Sequence, residues 1–89
     1  MRVALYGTIF EVRAVVAGRD VRLELEDGSA FCCLSVVSGV EARSGWFWLK
    51  DWSENLPVVQ ALIAGGFLEF SGRTFRTGRV QSKEARLRA

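Results

Sequence analysis

The chain has 89 residues, 49% of them hydrophobic and 25% charged, with twelve basic and ten acidic side chains and no histidine. That is room for one domain, residues 1–89, and it excludes a two-lobed enzyme or a large cofactor fold. The missing histidine removes the commonest general base, the serine-type triad and most zinc sites.

Residues 3–17 are rich in Val, Ile, Phe and Tyr and predict one long strand, with Gly7 marking a bend or bulge. Gly18-Arg19-Asp20 makes a turn. Val21 to Glu26 then alternates apolar and charged residues, the period-2 pattern of a strand with one wet face. Asp27-Gly28 is a strong hairpin signal, and Ala30 to Val37 completes the hairpin as a third strand. Cys32 and Cys33 are adjacent, so on a strand one faces the core and the other faces out. They suit neither an ordinary disulfide nor a zinc site. With no signal-peptide pattern at the N-terminus and no apolar run near the roughly 18 residues a membrane helix needs, the expected location is the cytoplasm.

The stretch Ser38 to Trp52 is irregular and holds all three tryptophans; Trp46-Phe47-Trp48-Leu49 either extends the third strand or forms a short one. Ser53 or Asn55 can cap a helix whose first turn tolerates Pro57. The helix spans Leu56 to Ala64, with Leu56, Val59, Leu62 and Ile63 predicted on one face, and Gly65-Gly66 ends it. Phe67 to Ser71 reads as a fourth strand. A polar turn over Gly72 to Gly78, carrying Arg73, Phe75 and Arg76, leads into a fifth strand from Arg79 towards Leu87.

This order, three strands, one short helix and two strands, resembles the OB-fold, a five-stranded antiparallel Greek-key barrel. The resemblance is carried by Gly7-Thr8-Ile9, by Leu23-Glu24-Leu25-Glu26-Asp27-Gly28, and by Gly66-Phe67-Leu68-Glu69-Phe70-Ser71-Gly72-Arg73. It covers nearly the whole chain as topology and pattern, without a signature motif. It implies a mainly β, OB-like barrel with the helix between strands three and four plugging one end. It also implies a ligand face on strands two and three, flanked by the loops joining strands one and two and strands four and five.

Charge is segregated along the chain. From Ser71 onward there are six basic residues, Arg73, Arg76, Arg79, Lys83, Arg86 and Arg88, against one acid, Glu84. A polyanionic partner would explain this, as would a solvated terminal strand. No phosphate-cradling glycine loop, dinucleotide fingerprint or metal-ligand cluster is present, so neither catalysis nor a cofactor is expected. The expected function is single-stranded DNA or RNA binding with weak sequence preference. Arg73, Arg76, Arg79 and Lys83 would meet phosphates, Phe75, Trp46 and Trp48 would stack on bases, and Arg22 would contribute from strand two. Glu24 and Glu26, outward on the same strand, run against it. The rival expectation is a protein-interaction or oligomerisation module that uses residues 46–49 as an aromatic contact patch.

Overall fold

The computed structural model describes residues 1–37 and 40–88; Ser38 and Gly39, which the sequence places in the irregular stretch, and the terminal Ala89 lie outside them. The fold is mainly β. Strands β1 (Arg2–Leu5), β2 (Thr8–Ala17), β3 (Asp20–Leu25) and β4 (Ala30–Cys33) form one antiparallel sheet in chain order. Strands β5 (Phe47–Leu49), β6 (Leu68–Thr77) and β7 (Val80–Leu87) form a second, with β7 in the middle. Between β5 and β6 lie a 3-10 turn, Ser53–Asn55, and helix α1 (Leu56–Ala64). The sheets join where the chain beyond β4 meets β5: Ser35 bridges Leu49, and Val36 N–H donates to the Trp48 carbonyl at 2.9 Å. The described strands do not close into the single five-stranded barrel expected from the sequence.

Two local features account for the difference. The long first strand is a hairpin, because Tyr6 and Gly7 both take positive φ (50° and 79°) and form a two-residue turn between β1 and β2. Such a turn matches the twist of the strands it joins, and its second position suits glycine. The basic stretch 72–78 is also strand. Gly72 (φ 92°) sits in a bulge where the β6–β7 register shifts between Phe70 and Thr74, and β6 continues to Thr77. The turn itself is only Gly78-Arg79.

The core lies between the sheets and under α1, built from Val3, Val12, Leu23, Leu34, Leu49 and their neighbours. The helix buries Val58, Val59 and Leu62, whereas Leu56 and Ile63, predicted on the same face, are exposed. Asn55 sets this rotation. It is buried and donates its side-chain amide to the carbonyls of Cys33 (2.6 Å) and Lys50 (3.1 Å), so it ties the helix start to the sheet and leaves no side-chain cap bond. Cys32 packs half-buried against the core and Cys33 is exposed. Among the described residues no helix is long and apolar enough to cross a membrane.

Candidate functional site

Cross-strand partners share a face of a sheet. In the second sheet Phe47, Leu49 and Ala85 point into the core. Trp48 stands opposite Glu84 on the other face, where Phe75 stands opposite Ser82 and Glu69 opposite Arg86. At the centre of that outer face is Glu84, with 0% of its surface exposed. Its carboxylate accepts from the Arg43 backbone N–H (2.9 Å), Arg43 Nε (3.0 Å), Ser71 Oγ (2.6 Å) and Arg73 Nη1 (2.8 Å). Burial pushes this carboxyl up, but the hydrogen bonds from Ser71 and Arg43 and the charge of Arg73 outweigh it and hold Glu84 below the ordinary carboxylate value.

Around this anchor the aromatic rings and guanidinium groups interleave. Arg73 lies 5.6 Å over the Trp48 ring, and the Trp48 and Phe75 rings are 5.9 Å apart. Trp46, half-buried just before β5, is flanked by Arg43 at 5.0 Å and Arg86 at 4.6 Å. Arg86 in turn forks onto Glu69 through two bonds of 2.8 and 3.1 Å, which lowers the Glu69 pKa and raises that of Arg86. Trp46 also lines an open cleft of about 780 Å³ between the β2–β3 turn and residues 41–46.

Of the residues singled out in the sequence, Arg73, Phe75, Trp46 and Trp48 converge on this face. Their availability differs from the expectation. Trp48 is 4% exposed and donates its indole N–H to the Val40 carbonyl at 2.7 Å, so it is a packing residue and not a platform for a base. Phe47 and Leu49 are buried as well, which leaves Trp46 as the accessible residue of the supposed 46–49 contact patch. Arg73 is committed to Glu84, with its side chain 43% exposed.

Arg76 and Lys83 project from the opposite face of the β6–β7 hairpin, because Arg76 pairs with Gln81 and Thr74 with Lys83. There Lys83 Nζ lies 5.8 Å over the Phe70 ring and 3.8 Å from Asp51. Arg79 is exposed at the hairpin tip, and Arg22 is exposed on the outer face of the first sheet, opposite Val15 and Cys33. The acidic strand is less repulsive than its sequence suggests, since Glu24 pairs with Arg13 at 3.5 Å.

Sequence reasoning missed Arg43, Arg86 and Glu84 as members of one cluster. The available signal was the lone acid inside a basic tail: a charge of that kind in a strand is placed by its partners. Arg43 carried no signal, because it lies in the irregular stretch and meets Glu84 only through the fold. Among the described residues no group of three or more His, Cys, Asp or Glu side chains is placed to hold a metal ion. Comparison with known protein families, characterised proteins and solved structures gives no match to this chain.

Proposed function

We propose that this domain binds single-stranded nucleic acid, DNA or RNA, without catalysis, along the outer face of the β5–β7–β6 sheet. The observation that carries the reading is Trp46, half-buried between the guanidinium groups of Arg43 and Arg86. A base that displaces one of these guanidinium groups from the ring stacks in its place, which contributes about 1–3 kcal/mol, while the arginines around it meet the flanking phosphates. Arg43, Arg73 and Arg86 share the face with Glu84 and Glu69, so a positive excess remains there, and Arg79 extends it at the hairpin tip. Every base has a π-face, so preference for sequence is weak. The placement of β7 between β5 and β6 departs from a simple meander as a Greek-key arrangement does, and supports an OB-like reading in which the β1–β2 hairpin stands in for the long first strand.

Titration of thymidine and uridine oligonucleotides at low and high salt, followed by tryptophan fluorescence, tests the reading. Binding is expected to quench Trp46 and to weaken steeply as salt rises. Absence of salt-sensitive binding to any strand at micromolar protein overturns it. The second reading, a protein-interaction module, draws on Leu56 and Ile63, which are 45% and 50% exposed on α1, rather than on residues 46–49. Light scattering across a concentration series tests self-association through that helix, and a concentration-independent monomer overturns that form of it.

A further inference from the structure

We propose that the cleft between the β2–β3 turn and residues 41–46 takes a single nucleoside phosphate, either free or as the phosphorylated end of a strand. This inference rests on the nucleic-acid reading and adds a second kind of contact to it. The outer face offers a strand the half-buried Trp46 and the exposed arginines around its buried centre; the cleft offers an open recess of about 780 Å³, within the roughly 300–1,000 Å³ typical of small-molecule sites.

Its lining is divided in the way a nucleotide is divided. Val21, Phe47 and Leu87 supply an apolar interior, and Trp46 supplies an aromatic wall against which a planar base can lie. Arg19 and Arg43 supply two cations for a phosphate. Arg43 is the less available of the two, because its backbone N–H and its Nε are both bonded to the Glu84 carboxylate, which already balances part of its charge. Among the described residues Arg19 pairs with Glu41 at 3.2 Å, and both side chains are largely exposed. Such pairs contribute between nothing and about 1 kcal/mol, so a doubly charged phosphate can take Arg19 from Glu41. A base without phosphate forgoes both cations, and a sugar phosphate without a base leaves the apolar interior and the tryptophan wall empty.

Calorimetry with adenosine monophosphate, adenosine and ribose phosphate separates these contributions. The nucleotide is expected to bind saturably and at least about tenfold tighter than either half. Val16 is an exposed residue on the cleft wall, so V16F obstructs the cleft without disturbing the core, and R19E reverses one cation. Each is expected to weaken the nucleotide about tenfold or more while changing binding of an unphosphorylated thymidine strand much less. For the strand-end source, a terminal phosphate on that strand tightens binding to the native protein and not to R19E; equal binding with and without it assigns the cleft to free nucleotide. Absence of saturable nucleotide binding at millimolar concentration, or binding that both variants leave unchanged, overturns the inference, and strand binding then stands on the outer face alone. Nucleotide binding that both variants abolish, in a protein that binds no strand, removes the strand interface and retains the cleft.

Discussion

Arg43 meets Glu84 twice across 41 residues of sequence, through its backbone N–H at 2.9 Å and its Nε at 3.0 Å. Ser71 and Arg73 bind the same carboxylate from β6, so one side chain of β7 fastens the 41–46 loop and the β6 bulge together. Glu84→Gln keeps the shape but loses the charge and cannot accept from all four donors. Its arginine partners are half-exposed and recover water, so the expected loss is about 1–3 kcal/mol rather than the larger cost of a stranded buried ion. Urea unfolding measures it, and a red shift of Trp46 fluorescence before unfolding reports release of the loop.

The same carboxylate sets an acid limit. Glu84 is held below its ordinary value of 4.5, so the folded state binds this proton more weakly than the unfolded chain. Its contribution is therefore fully present above that value and is lost as pH falls through the lower folded-state pKa. Glu69, held down by Arg86, and Glu54, held at about 2 by Lys50, lie in the same window. The stability difference between native protein and E84Q is expected to be constant near neutrality and to shrink below about pH 4.5. A difference that grows on acidification contradicts the assignment.

The adjacent cysteines are expected to behave unequally towards a thiol reagent. Cys33 is exposed, whereas Cys32 is half-buried with its thiol pushed up to about 11 by burial and by the neighbouring Cys33. The thiolate is the reactive form, so at mildly alkaline pH one equivalent should react quickly and the second slowly. Both should react at one rate in denaturant. Cys33→Ser should remove the fast phase.

Much of the architecture was legible because it depends on short-range patterns: the alternation of Val21 to Glu26, the Asp27-Gly28 turn, and the helix with its Pro57 start and double-glycine end. What escaped depended on tertiary context. Tyrosine is a poor turn former, so Tyr6-Gly7 read as the interior of a strand. Gly72 read as the start of a loop because a bulge and a turn use the same residue. Trp46 and Trp48 are two residues apart with the same parity, and nothing local says that Val40 and Phe75 cover one of them while the other borders a cleft.

The β1–β2 turn can be tested directly. Tyr6 has φ of 50°, a left-handed conformation that costs an ordinary L-residue about 1–2 kcal/mol, and its side chain is 89% exposed with little packing to lose. Tyr6→Asn supplies the residue that a two-residue turn ahead of Gly7 favours. The expected gain is about 1 kcal/mol, which raises the melting temperature of a domain this small by about 4–8 °C. An unchanged or lower melting temperature would show that the turn is not formed as described.

The two neighbouring tryptophans should separate stability from binding. Trp48 is buried with its indole N–H bonded, so Trp48→Ala is expected to cost about 3–5 kcal/mol, a large part of the stability of a small domain. Trp48→Phe, which keeps most of the packing and loses the bond to Val40, should remain folded and bind a strand nearly as well as the native protein. Trp46 is half-buried, and its two guanidinium contacts contribute about 0.5–1 kcal/mol each at an exposed site, so Trp46→Ala should unfold only slightly earlier. Its loss from strand binding should be about 1–3 kcal/mol, roughly five- to 150-fold in affinity. Fluorescence anisotropy of a labelled oligonucleotide, read beside urea unfolding of both variants, makes the comparison. If Trp48→Phe loses binding while Trp46→Ala keeps it, the strand does not lie against Trp46 and the proposed interface is wrong.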